Sequence, residues 1–396
     1  MAPAEDVVGR LWRAHDEQWR DPAQIVGLWG GEATVNRRLL RSRATGQWWD
    51  LLARHGITLL VAREYEHLVM ALAAPDGHPR TTWIAVPHPS GVAVDRRHGV
   101  IHLASTRNPN HVLDLRPVAG ALERGDSSDD PIEGRPLVPT ASRFLPGCLY
   151  LHDLAMVGGV LHASAVGQNA VVRLDASGGH EPVWWPRSVE KDGRPDMRLN
   201  YLQLNSIAAG PDLAGSCFTA SSEWPSRRRP GHRNYPVDRR GVVFSGRSRE
   251  PIARGLTRPH SARWFDGDLL IGDSGYGELV RVGMDGRVDT VCRLPGWTRG
   301  LCIHDGIALV GTSRVIPRFR QYAPGLDVAR SVCGVHAVDL RSGEVLGSLR
   351  WPLGNQIFAV EWVPADDSLG FPFPVGRRSA RSLFYRFVTS PQEVSP

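Results

Sequence analysis

Short apolar runs broken by Gly, Asp and Asn dominate the chain from residue 57 to residue 362, and their alternation has the period of strands rather than helices. The runs recur as a unit: a polar residue, an apolar strand, a tight turn, a second strand ending in small residues, a polar loop, then a third strand. The unit reads SGVAVDRRHGVIHLASTRNPNHVLDL from Ser90 and HDLAMVGGVLHASAVGQNAVVRLD from His152. It returns as NSIAAGPDLAGSCFTASS from Asn205, HSARWFDGDLLIGDSGYGELVRVG from His260 and RGLCIHDGIALVGTSR from Arg299. A last copy, QIFAVEWVP from Gln356, stops after its first strand.

The missing remainder lies at the other end. ITLLVARE (57–64), HLVMALAA (67–74) and RTTWIAVP (80–87) supply second, third and fourth strands with no first. A ring in which a C-terminal innermost strand completes an N-terminal sheet explains both fragments and removes the open edges that strands otherwise expose. The pattern therefore predicts an all-β, six-bladed β-propeller over residues 55–364. Starts are spaced 62, 53, 55, 39 and 57 residues apart, so some blades carry insertions. Residues 1–54 read as an N-terminal helical extension, because VVGRLWRAHDEQW and TGQWWDLLARHG have helix-like apolar spacing. Residues 365–396, with FPFP and GRRSAR, read as a C-terminal strap.

Composition narrows the partners. Of 396 residues 42% are hydrophobic, enough for a packed core, and no apolar run approaches the roughly 18 residues that span a bilayer. The charged N-terminus lacks an apolar signal segment, so a cytoplasmic location away from membranes is expected. The formal charge of +6 is carried by arginine, Lys191 being the single lysine. These arginines are scattered among 41 acids, and only RRRPGHR (227–233) is dense, so nucleic acid is not an expected partner. The five cysteines, Cys148, Cys217, Cys292, Cys302 and Cys333, are widely spaced and form no C-x-x-C, which excludes a disulfide scaffold or zinc ribbon. No phosphate-binding loop, dinucleotide fingerprint or HExxH occurs, so no nucleotide cofactor is expected. GDSGY lacks the second glycine of a nucleophile elbow, which makes Ser274 a poor hydrolase nucleophile.

In a propeller the residue before each innermost strand lies at one mouth of the central channel, and the loop joining second and third strands opens on the same face. The first set is Ser90 (with His88 nearby), His152, Asn205, His260, Arg299 and Gln356. Most are large polar side chains, and a buried polar ring is costly unless it binds something. The second set is Arg63, Glu64, Tyr65, Asn108, Asn110, His111, Gln168, Asn169, Ser274, Tyr276, Glu278 and Arg314. Two longer excursions, 222–240 and 314–332, leave this face as possible lids with Trp224, His232, Tyr235, Arg318, Arg320 and Tyr322.

Several motifs carry a family resemblance. RPHSARW (258–264), GDSGYGEL (272–279), PGWTRGL (295–301) and CGVHAVDL (333–340), with LHDLA (151–155), LNSIA (204–208) and NQIFAVEW (355–362), resemble a bacterial β-propeller family of unknown function. The resemblance implies the propeller and no particular reaction. More distantly the blades are similar to those of gluconolactonases and strictosidine synthase, which work at the top of the channel.

The expected function is that of an enzyme acting on a small polar, anionic organic substrate by hydrolysis, isomerisation or cyclisation. His152 and His260 are candidate acid–base residues or, with Asn205, ligands of one divalent metal ion; strand capping is the bland alternative. Glu278 and Tyr276 are candidate base and hydroxyl donor. Arg299 suits an anionic group through its planar fork, or else pairs with Asp273 or Glu64. Asn205, Gln356, His88, His111, Asn169 and Arg63 are candidate substrate contacts. The rival is a non-catalytic propeller that binds a ligand or protein partner.

Overall fold

The structure is a computed structural model that describes residues 35–106, 110–118, 121–122, 134–196, 202–226, 228, 234–375 and 384–385. The more N-terminal of the two expected helices, residue Asn108, His232 and most of the 227–233 cluster lie outside them.

Six antiparallel sheets form the ring. Their innermost strands are Pro89–Asp95, Leu151–Val157, Leu204–Ala208, Pro259–Phe265, Trp297–His304 and Ala359–Pro364. The last pairs with Ile57–Arg63, in register from Ile57↔Pro364 to Ala62↔Ala359, and thereby completes the N-terminal blade. That blade continues through Leu68–Ala73 and Arg80–Ala85, and Phe373–Pro374 adds a fifth, outer strand. The Trp297 blade also has five strands, because Arg43–Gly46 pairs along its outer edge. Among the described residues before the ring, the 3-10 turn Arg37–Leu40 leads into this edge strand on the last blade, and the helix Trp48–Arg54 carries the chain into the first. This edge strand is absent from the sequence reading, since its four residues are all exposed and carry no apolar alternation.

Side chains alternate as the pattern demands, and the fully buried strands pack into clusters between successive blades. Trp184, for instance, lies 4.0 Å from the Phe218 ring in the next blade. Polar stitches accompany this packing. Ile207 N donates to Asp153 Oδ2 at 3.0 Å, Ala262 N to Ser206 Oγ at 3.0 Å, and Gly300 N to Ser261 Oγ at 2.9 Å.

One irregularity recurs. Register shifts interrupt five innermost strands at equivalent places, between Pro89 and Val92, Leu151 and Leu154, Leu204 and Ser206, His260 and Arg263, and Thr298 and Leu301. A bulge breaks the two-residue alternation and re-aims side chains. Here it occurs at or beside Ser90, His152, Asn205, His260 and Arg299, at the mouth where the innermost strands begin, called the upper mouth below.

Candidate functional site

The upper mouth holds a cavity of about 180 Å³. Its polar wall includes His152, Gln203, Arg258, Arg299, Gln356 and Glu64, and its apolar wall is largely aromatic. Trp297, Phe319, Tyr322, Tyr65 and Phe358 stand in mutual or cationic contact around it. Phe319 and Tyr322 come from the short 3-10 helix Pro317–Tyr322 in the 314–332 excursion. Tyr235, from the 222–240 excursion, packs into the same cluster. Both excursions therefore contribute to the roof, whereas Trp224 is exposed.

Two guanidiniums dominate the electrostatics. Arg299 is 5% exposed and lies 3.3 Å over the Phe358 ring. The amide orientation of Gln356 that satisfies both neighbours lets its oxygen accept from Arg299 Nη1 at 2.7 Å and its nitrogen donate to Glu64 Oε2 at 3.3 Å. Glu64 also accepts from Thr106 Oγ1 at 2.7 Å. Burial pushes the Arg299 guanidinium down to about 10; Glu64 opposes this and Arg258 adds to it. Arg258, 4% exposed, sits 4.4 Å over Tyr322 and 5.4 Å from the Trp297 ring, and burial lowers it too. Neither arginine has a carboxylate within ion-pair distance among the described residues. Arg258 Nε and Nη1 and Arg299 Nη2 are buried without a hydrogen-bond partner.

His260 lies against two wall residues, with ring centroids 5.7 Å from Trp297 and 6.5 Å from His152. Its Nδ1 meets the Arg258 carbonyl at 2.8 Å and Ser274 Oγ at 3.0 Å. A carbonyl can only accept, so Nδ1 carries the proton, and Ser274 Oγ–H is spent on the Thr298 carbonyl at 2.6 Å. Nε2 is left as a buried acceptor with no partner. Burial, then the charges of Arg299 and Arg258 and the neighbouring His152, push the imidazole well below 6.5, so it is neutral at pH 7. Asn205 donates to Ser221 Oγ and the Pro259 carbonyl, and its Oδ1 is likewise unpartnered.

This geometry is ill suited to the divalent ion expected on His152, His260 and Asn205. Two imidazoles on one tetrahedral ion have centroids about 5.2 Å apart, given bonds of about 2.0–2.1 Å. The observed rings are 6.5 Å apart and nearly parallel, and two fixed cations adjoin them.

Other expected contacts lie elsewhere. Arg63 is turned into the seam between first and last blades, where it donates to the Leu39 carbonyl at 2.6 Å and sits 4.9 Å over Trp351. Glu278 is engaged by Arg293 at 2.8 Å and Thr290 at 3.2 Å. Tyr276 donates to Asp238 at 3.0 Å beneath Arg239. Asn169, in the left-handed region at φ 53, donates to the Asp196 carbonyl and accepts from Leu202 N. His111 faces Phe144 on its own blade, and His88 packs on His67 with Glu64 at 3.9 Å. Of the paired acids considered for Arg299, Glu64 is the neighbour, whereas Asp273 accepts from Thr257 N at 2.6 Å. Arg258 is absent from the sequence reading because it precedes the repeat position by two residues; its backbone there is left-handed at φ 55, as it is at Tyr150 and Gln203, which line the same cavity.

The lower mouth contrasts with the upper. Its cavity of about 310 Å³ holds Arg263 with Asp153 at 3.4 Å, and Glu361 also lines it, so its buried charges have counter-charges. Near its rim, His55, His304 and Asp305 bring three potential metal ligands within 4.8 Å of one another.

A family model described as Domain of unknown function (DUF4915) matches residues 46–368. No curated protein matches the sequence. Among solved structures, a chain of a nidogen/laminin complex superposes with a TM-score of 0.51 at 11% identity, covering 78% of this chain and 98% of the other. A gluconolactonase from Xanthomonas campestris gives 0.44 at 15% identity, with coverage of 75% and 86%. A putative gluconolactonase gives 0.47 at 14%, with coverage of 81% and 89%. At 11% identity the likeness to the nidogen/laminin chain speaks for the fold alone.

Proposed function

Given that the chain belongs to the family described as Domain of unknown function (DUF4915), a description that carries no reaction, we propose its function from the cavity: an enzyme that acts on a small organic anion at the upper mouth. The observation that carries this reading is the pair Arg258 and Arg299, two buried guanidiniums facing one cavity with no carboxylate in ion-pair contact among the described residues. Burying an unpaired charge costs several kcal/mol, whereas cation–π contact returns only about 1–2 kcal/mol. An anionic occupant supplies the balance. Glu64 leaves the wall with a net charge of one positive unit, which suits a monoanion.

Size and chemistry narrow the occupant. An apolar cavity of about 150 Å³ holds one benzene-sized molecule, so about 180 Å³ suits a single ring or a short branched chain. The aromatic wall favours a flat or apolar body. His152 lines the cavity with His260 behind it, and its imidazole is the group placed to take a proton from a hydroxyl or amino group on the ligand.

The test is calorimetric binding of a panel of small hydroxy-, amino- and aromatic carboxylates to wild type, Arg299→Gln and Arg258→Gln, with products followed by NMR. At least one anion is expected to bind, about 10- to 100-fold more weakly in each variant, as loss of about 1.5–3 kcal/mol per charged hydrogen bond requires. Binding that is equal in all three proteins would overturn the site. Binding without turnover would favour the non-catalytic alternative.

A further inference from the structure

The lower rim of the ring carries a second group of side chains that the anion site does not use. His55 caps the C-terminal end of the helix Trp48–Arg54, His304 ends the innermost strand of the last blade, and Asp305 begins the turn after it. We propose that His55 Nδ1, His304 Nε2 and the Asp305 carboxylate form a binding site for a first-row divalent ion of the zinc type, which clamps the seam where the ring closes.

Distances support the assignment. Asp305 Oδ2 is 3.2 Å from His304 Nε2 and 3.6 Å from His55 Nδ1. The edge of a tetrahedron with bonds of about 2.0–2.1 Å is about 3.3–3.4 Å long, so the two separations bracket the value for a shared ion. The longer exceeds hydrogen-bond reach. The imidazole centroids are 5.4 Å apart and crossed at 84°, close to the roughly 5.2 Å of a tetrahedral pair. The His152–His260 pair misses that value by more than an ångström.

Donor chemistry agrees. Two imidazoles and one carboxylate suit zinc and its neighbours. His304 is 17% exposed at its side chain, so its imidazole is half-sheltered within the seam. A contact with the His55 main chain and the Trp362 ring, 4.2 Å away, holds the imidazole in place. Asp305 is 71% exposed at its side chain, so water has access to a fourth position. Arg96 is stacked 4.0 Å over the same Trp362 ring. The ion would join residues far apart in sequence, one on the segment that bridges last and first blades and two on the last blade. An ion held only where these residues meet binds the folded state and so stabilises the closed ring by mass action.

The experiment is zinc titration by calorimetry on chelator-treated full chain, with cobalt(II) absorption as a report of tetrahedral geometry. Wild type is expected to take up one equivalent with a rise in melting temperature. Asp305→Asn and His304→Ala are expected to bind at least tenfold more weakly, and His152→Ala/His260→Ala to bind as wild type. Asp305→Asn is conservative and exposed, so it reads the site even if the histidine variant folds poorly. Absence of uptake by wild type, unchanged uptake in Asp305→Asn, or loss of uptake in the His152/His260 variant would overturn the proposal.

Discussion

Gly300 illustrates how little freedom a residue has where two blades meet. Its φ is +83°, and a Cβ there would stand 2.8 Å from Val360 Cγ2 and 3.0 Å from Val360 N. An alanine would meet both backbone strain and a neighbouring main chain that cannot retreat. Gly300→Ala is expected to cost about 1–3 kcal/mol, read as a lower denaturation midpoint, and to displace the adjacent Arg299. His336 offers a different constraint. It is buried between Thr312 Oγ1 at 2.9 Å and Ser348 Oγ at 2.8 Å, and burial pushes its pKa down to about 3. The unfolded chain therefore binds a proton that the folded chain refuses. The stability tied to this neutral side chain is complete above about pH 6.5 and is lost as pH falls from there toward 3, at up to about 1.4 kcal/mol per pH unit. In His336→Gln that acid-side loss should be absent, so its stability relative to wild type should rise as pH falls through this window. Parallel melting curves for the two proteins would be the contrary result.

At the scale of elements, the inner strands were legible and, apart from the fourth strand of the first blade, Arg80–Ala85, the outer ones were not. Inner strands such as Leu68–Ala73 are buried throughout and announce themselves as apolar runs. Val288–Arg293 reads VDTVCR, with its first half exposed, and its place at the blade's edge follows from pairing with Glu278–Val282 rather than from its own pattern. Trp264 and Trp362, at the ends of innermost strands, pack against the clusters between blades and add a directional bond. Trp264 Nε1 donates to the Ala208 carbonyl of the preceding blade at 3.2 Å, and Trp362 Nε1 to the Ile303 carbonyl at 3.0 Å. Trp264→Phe keeps the ring and removes the donor, so a loss of about 0.5–1.5 kcal/mol in chemical denaturation is expected. The bulges were invisible in sequence, because a register shift is a relation between two strands.

For the whole molecule, closure is the decisive event. The strand Ala359–Pro364 covers the edge of Ile57–Arg63, from Ile57↔Pro364 to Ala62↔Ala359, across most of the ring's sequence. A chain ending at Pro352 would leave that edge and the channel-facing side of the first blade open. It is expected to lose cooperative melting by circular dichroism and to aggregate through the bared strand. A truncated chain that melts as wild type would show that closure contributes nothing.

The repeat and its split blade determined the ring from sequence, because strand alternation and turn chemistry are local and recur in every blade. The same repeat placed His152, Arg299 and Gln356 on the cavity wall, with His260 against it, since equivalent positions on a ring converge. Tertiary structure alone decided that Arg258 joins Arg299, that Arg63 and Glu278 turn away into packing and pairing, and that His55 meets His304 and Asp305 at the opposite mouth. Those outcomes depend on bulges, on left-handed backbone positions and on which side chain finds a counter-charge. Such relations join residues distant in sequence, and no local pattern encodes them.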